Sequence, residues 1–216
     1  MTYCMADIHG EIERYREMLQ KIQFSDTDTL YIIGDVIDRN PGGVNILRDI
    51  MSRKNVILLR GNHEQMCLST LGGNNEVGAR QLWKQNGGAV TYVELMHMCS
   101  AEERQAILSF LERTPLTTKL QVGEQTFLLV HAVPDEDMFH QLWMRPWDFN
   151  WADVPKNTTC VIGHTPVNYL KSCHEDTPMS IYYAEKYICI DCGCAGKNEN
   201  RRLACLRLDD MAEFYT

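Results

Sequence analysis

The sequence contains no apolar run near the roughly 18 residues a membrane-spanning helix requires, and no internal repeat, low-complexity tract or Pro/Ser-rich linker. A membrane span, a repeat array and a multi-domain chain on flexible linkers are therefore not expected. Positive charge is also in short supply: 21 Lys and Arg stand against 29 Asp and Glu, a formal net charge of −8. Non-specific binding to nucleic acid or to an anionic membrane needs a basic face, so neither partner is expected beyond a local basic pocket. The nine cysteines are odd in number and irregular in spacing, which argues against a secreted disulfide framework and for reduced thiols in a cytoplasm. Met1–Ala6 has neither the charged start nor the long apolar stretch of a signal peptide. With 216 residues, 44% hydrophobic and 23% charged, the chain reads as one globular domain.

The first third alternates strand and helix patterns. Thr2–Ala6, Leu30–Ile33 and Asn55–Leu59 are short, β-rich apolar runs, as buried strands require. Between them, Ile12, Tyr15, Leu19 and Ile22 recur at helical spacing, and Pro41 opens a second helix with Val44, Leu47 and Met51 inward. This βαβαβ order predicts a parallel sheet with right-handed crossovers. Residues from about 64 to 114 read as a helical insertion broken at Gly72-Gly73 and Gly87-Gly88. Thr117–Gln121 and Gln125–Val130 predict a hairpin, and Thr159–Ile162, Tyr187–Ile190 and Leu203–Leu208 three more strands. The expected architecture is a layered α/β protein with two sheets and helices outside.

The informative residues follow the strands. Asp7-Ile8-His9-Gly10 follows the first, Gly34-Asp35-Val36-Ile37-Asp38-Arg39 the second and Arg60-Gly61-Asn62-His63-Glu64 the third; His131 and Gly163-His164-Thr165-Pro166 end two later strands. In open α/β sheets such groups converge on one crevice. Asp7, His9, Asp35, Asn62, His131 and His164 are oxygen and nitrogen donors without a thiolate, a set suited to manganese, iron or zinc. Six ligands are too many for one open catalytic ion and suit two. Asp35 is the natural bridge between Asp7, His9 and Asp35 on one side and Asp35, Asn62, His131 and His164 on the other. Residual positive charge, with the forked donors of Arg39 and Arg60, would suit a phosphate.

These strand-end motifs resemble those of the calcineurin-like metallophosphoesterases, and within them the small bacterial and phage-type serine/threonine phosphoprotein phosphatases. The resemblance covers roughly residues 3 to 208. It implies a four-layer α/β/β/α sandwich of two mixed sheets with a dinuclear metal centre, most often manganese, on the same six ligands. Asn40 stands where the family usually has glycine, a change expected to do little harm because asparagine tolerates a left-handed backbone.

The expected function is metal-dependent hydrolysis of phosphomonoesters, in the first place of phosphoserine or phosphothreonine in protein or peptide. A metal-bridging hydroxide would attack in line, with His63 as the acid and Asp38 orienting it. The resemblance assigns His63 and Asp38 the same roles. It also suggests Arg145 as a further phosphate-binding arginine. Trp143, Trp147 and Trp151, spaced by four, read first as packing and second as an aromatic rim for a peptide. Cys189, Cys192 and Cys194 read as core and near-site thiols liable to oxidation, with no second pair to complete a zinc site. Two other functions share these motifs: dinucleoside polyphosphate hydrolysis, whose enzymes often lack the Asp38 carboxylate, and a non-catalytic scaffold for phosphorylated partners.

Overall fold

A computed structural model describes residues 1–73, 77–170, 178–197 and 199–216; positions 74–76 of the expected helical insertion lie outside them. Two mixed five-stranded sheets face each other. The first has the order β10-β9-β1-β2-β3, from β1 (Thr2–Met5), β2 (Thr29–Ile33), β3 (Val56–Leu59), β9 (Ala204–Arg207) and β10 (Ala212–Tyr215). The second has the order β4-β5-β6-β8-β7, from β4 (Thr117–Val122), β5 (Gln125–Val130), β6 (Thr158–Ile162), β7 (Tyr182–Tyr183) and β8 (Tyr187–Cys189). The parallel pairing of β1, β2 and β3 is the one predicted from the βαβαβ order.

The two-residue period of the strands separates two cores. Tyr3, Met5, Leu30, Ile32 and Leu58 turn to the helices, whereas Cys4, Ala6, Ile33 and Leu59 turn to the second sheet and meet Phe127, Leu129 and Val161. On the helical side lie α1 (Ile12–Lys21), α2 (Gly43–Ser52), α3 (Asn62–Leu71) and α6 (Ala101–Glu112), which contribute Tyr15, Met18, Leu47, Met66 and Leu111. Short turns at Pro146–Asp148, Trp151–Asp153 and Val167–Tyr169 flank the second sheet, whose core takes in Val154 and Val167. The architecture is the expected α/β sandwich.

The helical insertion completes itself with α4 (Ala79–Gln85), α5 (Ala89–Val93) and a π-helical turn over Glu94–Met98. The Gly87-Gly88 break separates α4 from α5, and Ser100 caps α6 by accepting the Glu103 N–H at 3.1 Å. Three local expectations change. α2 begins at Gly43, two residues after Pro41, and its inward side chains are Val44 and Leu47, as expected, with Ile46 and Ile50, while Met51 is 38% exposed. β7 and β10 had no readable pattern, the first because it is two residues long and the second because it is a four-residue edge strand with no fully buried side chain. Asn40 is not left-handed; Arg39 is, at φ 68°, and Asn40 uses its side-chain amide to donate to the His9 carbonyl at 3.2 Å.

Candidate metal centre

Parallel register brings the ends of β1 and β2 level, and hydrogen bonds continue beyond the strands: Asp7 N–H to Gly34 O at 3.2 Å, and His9 N–H to Asp35 O at 2.9 Å. The second sheet is tied in similarly, with Gly163 N–H donating to His131 O at 2.9 Å. Five strand ends therefore open on one crevice. Two glycines allow the approach. A Cβ on Gly61 would lie 2.2 Å from Asp35 Oδ1, and one on Gly163 2.2 Å from Asp7 Oδ2.

Asp35 lies at the middle, almost wholly buried. Its Oδ2 is 3.4 Å from His131 Nε2, 3.6 Å from His9 Nε2 and 3.8 Å from His63 Nε2. The ligand atoms of His9, Asp35 and His63 lie within 4.8 Å of one another, as do those of Asp35, His131 and His164. Asn62 joins the second group, its Oδ1 3.0 Å from His131 Nε2. Asp7 lies beside the two groups rather than within them. Its carboxylate accepts the His164 backbone N–H at 3.0 and 3.1 Å.

The donors are prepared for cations. His9 Nδ1 is 2.9 Å from Ile37 O and His131 Nδ1 2.9 Å from Ile33 O, so each ring gives its N–H to the backbone and turns Nε2 inward. His164 Nε2 is 3.2 Å from Trp143 O, which leaves its Nδ1 for the centre. His9 Nε2 is buried without a hydrogen-bond partner, an arrangement that is unfavourable unless something else binds there. Burial and the neighbouring His63 hold His9 well below its usual pKa, and burial with His131 does the same for His164, so both keep the neutral form that ligates metal. Burial alone would also lower His131, but the Asp35 carboxylate pushes it up to about 10. Burial would raise Asp35, yet His131, His63 and His9 together hold it well below the ordinary carboxylate range. Burial and the nearby Asp191 push Asp7 upward. The crevice thus attracts positive charge: His9 and His164 are already neutral, Asp35 is held ionised, and the protons favoured on His131 and Asp7 are ones that divalent ions would displace on binding. The residues fit such ions.

Beside the ligands, His63 Nδ1 is 2.7 Å from Asp38 Oδ2, and both side chains are fully buried. Arg39 Nη2 is 3.3 Å from His63 Nε2, which places its guanidinium at the centre. Arg145 lies on the opposite rim, donating to His164 O at 3.0 Å and Thr165 Oγ1 at 3.1 Å. Arg60 is not brought to the crevice. It follows Leu58 to the helical side of β3, where its guanidinium donates to Glu112 O at 2.6 Å, Thr114 O at 3.3 Å and Gln65 Oε1 at 3.0 Å. A cation at the carbonyl end of α6 is favourable there.

Several residues for which no role was expected build the surroundings. Glu64 accepts the backbone N–H groups of Asp35, Val36 and Gly61 at 2.8–2.9 Å. Trp83 Nε1–H donates to Asp38 Oδ2 at 2.7 Å. Asp191, buried behind Asp7, is pushed up by burial to about 6. Among the tryptophans, Trp151 stacks on Tyr187 at 4.2 Å and Trp143 lies edge-on to His164, while Trp147 is exposed. Cys189, Cys192 and Cys194 are buried, and among the described residues no cysteine falls in a metal-sized group. Burial raises the Cys189 and Cys194 thiols. That disfavours the thiolate on which oxidation depends, contrary to the expected liability.

The family model for calcineurin-like phosphoesterases matches residues 2–191. The symmetrical bis(5'-nucleosyl)-tetraphosphatase of Salmonella typhimurium is 31% identical over 134 residues, covering 61% of this chain. The match takes in 42% of that relative, so the chain spans less than half the length of the curated relatives it matches. Among solved structures, a candidate diadenosine tetraphosphatase superposes with a TM-score of 0.67 at 15% identity, covering 100% of this chain and 92% of the other. A serine/threonine phosphatase from Saccharomyces cerevisiae superposes with a TM-score of 0.63 at 14% identity, covering 100% and 78%. At those identities the structures share the fold. By the extent of the family match, the chain belongs to the calcineurin-like phosphoesterases.

Proposed function

We propose that this calcineurin-like phosphoesterase hydrolyses phosphomonoesters, and that its substrate class is phosphoserine or phosphothreonine in protein or peptide. The observation that carries the reading is the buried His63–Asp38 pair beside the metal-ligand cluster. An alkoxide is a poor leaving group and needs a proton as the P–O bond breaks. A nucleotide leaving from a polyphosphate is already a stable anion and needs none. Asp38 accepts the His63 Nδ1–H and holds the ring so that Nε2 faces the centre, where a proton can be passed to the departing oxygen. Arg39 and Arg145, on opposite sides, supply forked donors for the phosphoryl oxygens.

Asp7, His9 and Asp35 would hold one divalent ion, and Asp35, Asn62, His131 and His164 the other, manganese being the first choice for this donor set. Bound there, the ions supply a water nucleophile that ionises near neutral pH and offset phosphoryl charge. The second reading, hydrolysis of dinucleoside polyphosphates, is favoured by the name of the 31%-identical relatives. Protein stripped with chelator and reloaded with manganese should turn over a phosphoserine peptide faster than diadenosine tetraphosphate, with a phosphotyrosine peptide as the third arm. Asp35→Asn should abolish all turnover. Preference for the dinucleotide would transfer the assignment to the second reading.

A further inference from the structure

The loop that carries Asp38 and Arg39 is tied to the β1 turn through His9 and Gly10, but it is not held by its own sheet alone. Asp38 and Arg39 both have left-handed backbones, φ 73° and 68°, a conformation that a non-glycine residue adopts only when its surroundings enforce it. Much of those surroundings belongs to the helical insertion. Asp38 N–H donates to Thr91 Oγ1 at 2.9 Å, Arg39 N–H to Gly87 O at 3.1 Å and Gly42 N–H to Glu94 Oε1 at 2.8 Å. The fourth tie reaches the reactive pair itself: the Trp83 indole N–H and His63 Nδ1 both lie 2.7 Å from the same oxygen, Asp38 Oδ2.

We propose that Trp83 is a positioning residue for the acid pair: its indole N–H fixes the Asp38 carboxylate, and through it the orientation of the His63 ring. The alternative is that Trp83 merely fills the core. Its ring is 1% exposed and packs edge-on to Tyr92 at 6.3 Å, which a phenyl ring would partly reproduce. Only the N–H reaches Asp38, so a core role and a positioning role separate when that one donor is removed. Asp38 Oδ1 is buried and has no hydrogen-bond partner, so the carboxylate is oriented wholly by the bonds at Oδ2. With the indole gone, the carboxylate can swing about its remaining bond and the His63 ring with it.

The inference rests on the reading of His63 as the acid, and the test separates the two. Manganese-loaded Trp83→Phe is compared with wild type on phenyl phosphate and on 4-nitrophenyl phosphate, whose leaving group needs less protonation. The expected loss in kcat is about tenfold on phenyl phosphate, the scale of one hydrogen bond to a charged group. On 4-nitrophenyl phosphate kcat should change little, and KM should hold on both. In an Asp38→Ala background the same substitution should cause no further loss, since the pair it acts on is gone. In metal-free protein the Trp83 indole proton should resonate downfield and exchange slowly, and should shift upfield in Asp38→Ala. Should Trp83→Phe fail to fold, 3-benzothienylalanine at position 83 keeps the ring shape and replaces only the N–H. Equal losses on the two esters, an undiminished loss in the Asp38→Ala background, or an indole proton indifferent to Asp38 would overturn the proposal. His63→Asn run in parallel identifies failure of the underlying reading: equal losses there remove the acid role, while the indole resonance still reports the contact.

Discussion

Asp49 shows how a single carboxylate can be stabilising without touching the candidate metal centre. It accepts two hydrogen bonds from Arg53, at 2.8 and 3.0 Å, and one from the Tyr15 hydroxyl at 2.8 Å. Burial raises its pKa, but the Arg53 and Tyr15 bonds outweigh burial and hold it below the usual range. The same contact pushes the Tyr15 hydroxyl upward, after burial, so it stays protonated. A depressed carboxylate stabilises the fold above its unfolded pKa of about 3.9, and that contribution is lost as pH falls through the lower folded value. Because Asp49 is partly exposed, the contribution is no more than about 1 kcal/mol. Urea melts of Asp49→Asn should therefore show a deficit against wild type at pH 7 that narrows by pH 3. A gap that stayed constant with pH would mean the ionised carboxylate contributes nothing.

Among the elements, α3 has the most concentrated role. Its first residue, Asn62, is a candidate ligand; its second, His63, the proposed acid; its third, Glu64, the acceptor that gathers the β2 and β3 turns. Glu64→Gln would put an amide donor where Oε1 now accepts the Val36 N–H, two donors facing one another in a buried site. The expected destabilisation is about 2 kcal/mol, read as a lower urea midpoint with an unchanged slope; an unaltered midpoint would show that water replaces the lost acceptor. Such elements explain what was legible in the sequence. Asp7, Asp35 and Asn62 follow three β-rich runs, and parallel register makes the ends of such runs neighbours, so position along the chain translates into position in the crevice. Arg60 sits in the same motif, but strand alternation decides its side, and that alternation is hidden where the run is apolar on both faces. Trp83 lies 45 residues from Asp38 on a helix whose docking no local pattern records. Asp191 had a readable strand but no sign that it would share burial with Asp7.

For the whole molecule, the two sheets meet along the line where the candidate ligands lie: Asp7, His9, Asp35 and Asn62 from the first, His131 and His164 from the second. Ions bound there would bridge the sheets and stabilise the folded state over the unfolded. At a metal concentration one hundred times Kd the gain is about 2.7 kcal/mol, so the melting temperature should climb with added manganese and fall with chelator, and Asp35→Asn should flatten that response. A melting curve indifferent to metal would count against the two-sheet centre. No helix among the described residues is long and apolar enough to cross a membrane. One property of the backbone sets a limit on improving this protein. Of the eight non-glycine residues with positive φ among the described residues, six are Asp7, His9, Asp35, Asp38, Arg39 and His164, so conformational strain is concentrated where the chemistry would take place. Each is a position where glycine would relax the chain by about 1 kcal/mol or more. Laboratory selection for heat resistance alone would consequently erode this crevice before it touched the core, yielding hardier proteins that no longer react.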